Sequence, residues 1–218
     1  MQDSYRDHVV DTNQQRNRFM GQPIISDQID AAGLATVCRN LQAVLDKEVP
    51  GDIVEFGCYV GTASLFIRRT LDAAGESATR AFHVYDSFEG LPEKDKQDAS
   101  AAGVQFTAGK LYVSKKEFIQ QFQRARLALP IIHKGWFDQL PESTVPDHIA
   151  FAFLDGDFYG SILSSLRLVV PRLSRGGRIL IDDYHHDKLP GVEKAVRDYF
   201  QTTHPRITTE QDIAIITL

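Results

Sequence analysis

Short apolar runs of strand length alternate along this chain with segments whose apolar residues recur every three to four positions. Ser26-Asp27 reads as a helix start, after which Leu34, Val37, Leu41, Val44 and Leu45 keep helical spacing until Pro50-Gly51. Ile53 to Phe56 is the first strand of the alternation, followed by a helix with Ala63, Phe66, Ile67, Thr70 and Leu71 on its apolar face. Ala81 to Tyr85 is the second strand. Ser114 with Glu117 forms a capping box ahead of Phe118, Phe122, Ala125 and Leu129 on one helical face. Ile131-Ile132-His133 and Ile149 to Leu154 are the third and fourth strands. Ile162, Leu163, Leu166, Val169 and Val170 mark the next helix, which Pro171 kinks or ends. Gly176-Gly177 precedes a fifth strand, Ile179-Leu180-Ile181. Pro190 suits a first helical position ahead of Val192, Ala195, Val196, Tyr199 and Phe200, and Asp212 to Leu218 is a last strand.

Strands alternating with helices mean crossover connections, hence an α/β fold with a doubly wound, mostly parallel sheet covered on both faces. Ligands of such sheets bind at the carboxyl ends of the strands, and that is where the glycines and acids of this chain concentrate. Residues 1–24 are rich in Gln, Asn, Arg and Asp and form an N-terminal arm. A mobile tail and a lid over a ligand are both open to it, and the polar composition favours the tail. Residues 25–218 read as a single domain. Within it, Ser87 to Val113 is polar and aperiodic; a stretch of that length directly after a strand end reads as a substrate-side loop.

Composition narrows the class. A chain of 218 residues with 43% hydrophobic and 24% charged residues can bury one sizeable core. A net charge of -5 without a basic stripe excludes nucleic acid as the main partner. Arg68-Arg69 and Lys115-Lys116 are isolated pairs that read as solvated helix positions. The polar opening Met1 to His8 lacks the apolar core of a secretory signal, and no apolar run approaches the roughly 18 residues that a membrane span needs. Cys38 and Cys58 set no disulfide framework. The expectation is a cytoplasmic enzyme, with an exposed arm that would suit a homodimer.

The chemistry lies in the strand ends. Phe151 to Leu154 runs straight into Asp155-Gly156-Asp157, and Ile179 to Ile181 into Asp182-Asp183. Neighbouring parallel strands lie about 4.8 Å apart, so these carboxylates would crowd together and require a cation or shared protons. Asp155, Asp182 and Asp183 offer the hard oxygens that Mg²⁺ prefers. For consecutive aspartates to reach one ion, the strand must already be turning at Asp182. Asp157, two positions beyond Asp155, would then be free to take a proton from a substrate hydroxyl. His185 and His186 are rival bases, with His185 the second choice. After the first strand, Gly57-Cys58-Tyr59-Val60-Gly61 is a glycine turn into a helix, but Tyr59 stands where a dinucleotide loop needs its middle glycine. That favours an adenosyl ligand without phosphates. Asp86 ends the second strand where such folds present an acid to a ribose, although a cap on the Ser87 to Gly90 corner would also explain it. Gly135-Trp136-Phe137 offers aromatic surface for an adenine, or ordinary core packing. Asp155-Gly156-Asp157 taken alone also fits an Asp-X-Asp glycosyltransferase that holds a metal and a nucleotide sugar.

The stretches Val54 to Gly61, Tyr85 to Pro92, Gly135 to Pro141, Leu154 to Tyr159 and Ile181 to Tyr184 together resemble the macrocin O-methyltransferase (TylF-like) family, in order and spacing. The resemblance runs from about Pro50 to Phe200. It implies a class I, Rossmann-like methyltransferase fold, S-adenosylmethionine as methyl donor, Mg²⁺, and a small-molecule hydroxyl acceptor, often on a sugar of a natural product. Carried onto matching positions, it implies Asp155, Asp182 and Asp183 as metal ligands and Asp157 as general base. It also implies Glu55, Gly57, Gly61, Asp86 and Ser87 around the cofactor, where the strand-end reading adds Tyr59, Gly135, Trp136, Phe137 and Asp155.

Overall fold

The structure is a computed structural model that describes residues 21–218 and the backbone of the short strand Arg18–Phe19. Most of the expected N-terminal arm therefore lies outside the described residues. In chain order the main elements are β1 (Arg18–Phe19), β2 (Gln22–Pro23), α1 (Ala31–Leu45), β3 (Asp52–Phe56), α2 (Thr62–Ala73), β4 (Phe82–Asp86), α3 (Lys115–Ala125) and β5 (Ile131–Lys134). They continue with β6 (Ile149–Leu154), α4 (Tyr159–Val169), β7 (Leu173–Ile181), α5 (Gly191–Tyr199), β8 (Arg206–Glu210) and β9 (Ile213–Thr217). β1 and β2 pair with each other, and the remaining seven strands form one sheet in the order β5-β4-β3-β6-β7-β9-β8. All neighbours in it are parallel except the pairings made by β9. This is the doubly wound, mostly parallel α/β sheet that the alternation requires.

Every residue of β6 is buried, because helices cover both faces of a central parallel strand. The two faces separate by the strand period: Ile53, Phe82, Val84, Phe151 and Phe153 pack with α1, α2 and α3. Val54, Phe56, Tyr85, Leu154, Ile179 and Ile181 pack with α4 and α5. From β3 the chain builds outward through β4 to β5 and then returns beside β3 as β6, so the order reverses between β3 and β6. A crevice opens at such a reversal. Among the described residues no helix is long and apolar enough to cross a membrane.

Several elements depart from the sequence pattern. α1 starts at Ala31, with the Asp30 carboxylate accepting the Gly33 N–H at 2.8 Å, while the Ser26 hydroxyl bonds to that of Thr62 at 2.7 Å. Gly176-Gly177 lies inside β7, where a side chain at 177 would come within 2.8 Å of the Ala150 carbonyl. Leu129 is 45% exposed, because α3 stops when Arg126 turns left-handed at φ 56°. β8 was invisible in the pattern: an edge strand paired only to β9, it is largely exposed and carries no apolar run. Arg68 is not solvated. It is 4% exposed, and its guanidinium lies 5.5 Å from the Phe82 ring centre, a contact that a planar cation makes well. The Ser114 and Glu117 box does form, with N–H to side-chain distances of 3.2 and 2.9 Å. α4 ends before Pro171, which opens a 3-10 turn over Val170–Arg172.

Candidate active site

The ladder of backbone hydrogen bonds runs one residue past the ends of β3, β5, β6 and β7. Gly57 N–H donates to Tyr85 O (2.9 Å), Asp155 N–H to Phe56 O (2.8 Å), Asp182 N–H to Leu154 O (3.0 Å) and Gly135 N–H to Asp86 O (2.9 Å). Four chemically distinct segments are thereby held at one edge. A cleft of about 310 Å³ opens there, lined by Gly57, Cys58, Tyr59, Asp86, Ser87, Trp136, Phe137, Asp155, Asp157 and Asp183, among others.

At Gly57 the chain passes so close to the acid strand that a Cβ would sit 1.9 Å from the Asp155 carbonyl oxygen, and its φ is +87°. Only glycine fits both constraints. Asp86 makes the corner cap and a second tie besides: one oxygen accepts the Phe88 N–H (2.6 Å), while the other accepts the Cys58 N–H (2.9 Å) and pins the glycine turn. A carboxylate has about four acceptor positions, so capacity remains toward the cleft. The Ser87 hydroxyl accepts from the Glu89 N–H at 3.1 Å and donates to the Gly90 carbonyl at 3.3 Å. The Phe137 ring stands edge-on to Phe56 at 5.3 Å, and Phe56 stacks on Tyr85 at 4.3 Å. The aromatic wall is therefore anchored in the core.

Three expected cofactor residues stand outside the lining. Glu55 is buried and accepts from the Ser64 hydroxyl of α2; its other oxygen has no partner among the described residues. Burial pushes its pKa up to about 8, with the Asp86 charge adding to the rise. Gly61 is the N-cap of α2, packed so tightly that a Cβ would meet the Phe118 ring at 2.9 Å. Gly135, the residue after β5, continues that strand's ladder onto β4.

Asp155, Asp157 and Asp183 each present an oxygen, all within 4.8 Å of one another. Asp157 and Asp183 hold left-handed backbone at φ 59° and 55°, a conformation that is costly for a residue with a Cβ and typical of functional sites. Burial is the largest cause raising all three carboxyls: Asp155 goes well above the usual range, with Asp182 the largest charge acting on it; Asp157 rises to about 8, with Asp183 next after burial; and Asp183 is raised by burial against the lowering charge of His186. Asp182 is also raised by burial and then by Asp183, but it contributes no oxygen to the group of three. The oxygens that converge are those of Asp155, Asp157 and Asp183, with Asp182 next to the group and outside it. The left-handed turns at 157 and 183, hidden from a strand-periodicity argument, select which carboxylates converge.

The lining includes Asp86, Glu93, Asp95, Asp98 and Asp138 besides the trio, and no lysine, arginine or histidine among the described residues. Three converging hard oxygens fit a divalent cation of the Mg²⁺ kind, and the basic groups that act on them, His186 and Lys188, reach Asp183 from outside the lining. His185, the second choice as base, lies outside the lining: half exposed, its Nδ1 is 3.6 Å from the Glu193 carboxylate. Tyr184 N–H bonds to Asp212 O at 2.6 Å and carries the chain away from the cleft. Asp98 and Leu111 enter this lining from the Ser87 to Val113 stretch read as a substrate-side loop, whereas Gln28, from before α1, and Ser164, in α4, carried no signal.

Known proteins resemble this chain in sequence and fold. A family model described as Macrocin-O-methyltransferase (TylF) matches residues 4–213. The 8-demethyl-8-(2,3-dimethoxy-alpha-L-rhamnosyl)-tetracenomycin-C 4'-O-methyltransferase of Streptomyces olivaceus is 36% identical over 165 residues, which are 73% of this chain and 61% of that protein. The chain thus spans about three fifths of that relative's length. The demethyldecarbamoylnovobiocin O-methyltransferase of Streptomyces niveus is 31% identical over 82% of this chain and 70% of its own. The solved O-methyltransferase NovP superposes with a TM-score of 0.75 at 27% identity, covering 87% of this chain and 80% of its own. Calicheamicin methyltransferase CalS11, at 20% identity and TM-score 0.72 over 84% and 77% of the two chains, shows the shared fold. The glycosyltransferase reading of Asp155-Gly156-Asp157 finds no support in these matches.

Proposed function

The chain belongs to the macrocin O-methyltransferase family, and on that footing we propose that it moves the methyl group of S-adenosylmethionine onto a hydroxyl of a small molecule with the help of Mg²⁺. The observation that carries this reading is the convergence, in one cleft, of the Gly57 to Tyr59 turn, Asp86 and Trp136-Phe137 with the carboxylates of Asp155, Asp157 and Asp183.

The donor needs no phosphate cradle, and Tyr59 in place of a glycine removes one. Asp86 would accept from the ribose hydroxyls, and Trp136 and Phe137 would flank the adenine. A cleft whose described lining residues include acids and no lysine, arginine or histidine complements the positive sulfonium, so charge favours the donor over its neutral product. In the transfer, the acceptor oxygen attacks the methyl carbon as the carbon–sulfur bond breaks on the opposite side, and the sulfide leaves uncharged. Asp157 takes the hydroxyl proton. Asp155 and Asp183 would hold the cation, which supplies Lewis acidity that lowers the pKa of the acceptor hydroxyl. Positioning by the strand-end segments supplies much of the rate. The name of the Streptomyces olivaceus relative specifies a 4'-oxygen on a rhamnosyl-tetracenomycin, and a sugar hydroxyl of a glycosylated natural product is the acceptor class we infer.

The test combines calorimetry with S-adenosylmethionine and a methyl-transfer screen over glycosylated and phenolic acceptors, before and after chelation and with Mg²⁺ restored. Donor binding, transfer to a glycoside and Mg²⁺-restored activity are expected. A protein that binds no donor would overturn the methyltransferase reading, and activity undiminished by exhaustive chelation would overturn the cation's part in it.

A further inference from the structure

Neither helix that follows an acid segment can cap itself. α4 begins after Phe158 and α5 after Pro190, and neither residue makes a side-chain cap. Helix starts leave N–H groups without partners, and one buried carboxylate from the loop between β4 and α3 accepts from the first residue of α4 and packs against the first residue of α5. Asp98, 1% exposed, accepts the Tyr159 N–H at 2.7 Å with one oxygen and the Asp95 N–H at 3.1 Å with the other. The same oxygen that meets Tyr159 lies so close to Gly191 that a Cβ there would sit 1.8 Å away. Ser100 makes a second tie, donating to the Asp187 carbonyl at 2.8 Å, and Gly103 packs on the Lys188 carbonyl, 2.1 Å from where its Cβ would be. The loop closes on itself, with Leu91 N–H to Lys110 O at 2.7 Å and Gly109 N–H to Leu91 O at 2.9 Å.

These ties reach both arms of the acid cluster. Tyr159 is two residues from Asp157, and Asp187 is four from Asp183. Resting on the functional reading above, we propose that Asp98 is a positioning residue for methyl transfer: by capping α4 from the acceptor-side loop, it fixes Asp157 against Asp155 and Asp183. Loop docking and completion of the acid cluster are then one event, and a loop held away leaves the donor pocket formed but the base misplaced. Asp98 touches none of the reacting atoms in this account and acts through the Phe158-Tyr159 backbone.

The test uses the whole chain with D98A, D98N, G191A and S100A, reading donor affinity by calorimetry, Mn²⁺ affinity by electron paramagnetic resonance, kcat, and amide exchange at residues 157–162. In D98A, kcat should fall roughly 10- to 100-fold, as for a misplacement of about 1 Å. Mn²⁺ should bind more weakly and the amides exchange faster, while donor affinity stays within about twofold. The side-chain amide of D98N keeps an acceptor for the Tyr159 N–H but loses the one for Asp95, so this variant should fall between wild type and D98A. G191A should reproduce D98A with Asp98 chemically intact, because the added methyl displaces it. Unchanged kcat and exchange in D98A, or a loss of kcat that only follows lost donor affinity, would overturn the proposal. Should D98A fail to fold, S100A removes a single exposed hydrogen bond and carries the test: a smaller fall in kcat supports the brace, and none refutes it. Failure of the functional reading looks different, since wild type would then bind no donor while the exchange comparison still reads the role of Asp98.

Discussion

Replacing Gly57 by alanine probes the contact on which the cleft depends. Two costs combine. An L-residue at φ +87° carries left-handed strain of about 1–2 kcal/mol. The new Cβ would also lie 1.9 Å from the Asp155 carbonyl oxygen, whereas non-bonded heavy atoms settle near 3.5 Å, so the glycine turn and the acid strand must part by roughly 1.5 Å. Forcing an extra methyl into a packed interior costs about 1–3 kcal/mol, giving about 2–5 kcal/mol in all against a total stability of about 5–15 kcal/mol for a domain. Gly75 supplies the control: its φ is +74° with nothing within 4 Å of a Cβ, so G75A isolates the strain at about 1 kcal/mol. Urea denaturation of both variants measures the difference. Calorimetry and turnover of G57A should also show weakened donor binding and a loss of about 100-fold or more, since Asp155 moves with its carbonyl. A G57A protein no less stable than G75A, with wild-type donor affinity, would refute the argument that this close approach sets the site.

Other consequences follow from the same carboxylates and from Arg68. D157N should lower kcat by at least about 100-fold with donor affinity within about twofold of wild type; full activity would remove Asp157 as the base. Burial raises Glu55 and Asp157 to about 8, so the folded protein without a cation binds more protons than the unfolded chain from about pH 4 upward, and stability is lost as pH climbs through 8. In chelator, Tm should therefore fall from pH 5 to pH 8.5, with a shallower slope in D157N and recovery on adding Mg²⁺ at pH 8.5. A Tm that rises over that range would contradict the burial argument. Arg68→Met should leave Tm unchanged or raise it, by about 1 kcal/mol of stability, because the buried guanidinium has an unpartnered Nε among the described residues and its pKa is lowered by burial. A drop of several degrees would show that Arg68 has a structural partner. Trp136, the single tryptophan, lines the cleft, and its fluorescence should change on donor binding but not in response to an unrelated nucleotide.

How far the sequence could be read followed from how local the cause was. Buried strands such as Ile149 to Leu154 announce themselves through apolar runs, and the Ser114 and Glu117 box through a spacing of three, because each depends on neighbours along the chain. Edge strand β8 makes contacts on one side only and has no such signature. The arginine at 68 reads as a surface residue until Phe82, brought in by β4, gives its guanidinium a face to lie on.

The alternation of periods by itself determined the doubly wound sheet, and with it the edge at which glycines and acids would meet. Which acids meet was a tertiary decision. Asp155 was legible because it continues a strand, but the convergence of Asp157 and Asp183 on it comes with left-handed turns at 157 and 183 that no periodicity encodes. The part of Asp98 depends on a loop crossing 61 residues of chain to cap a helix that cannot cap itself. Local patterns specify elements because burial repeats with the backbone period; a site made of strand ends and a loop is specified by the packing that brings them together.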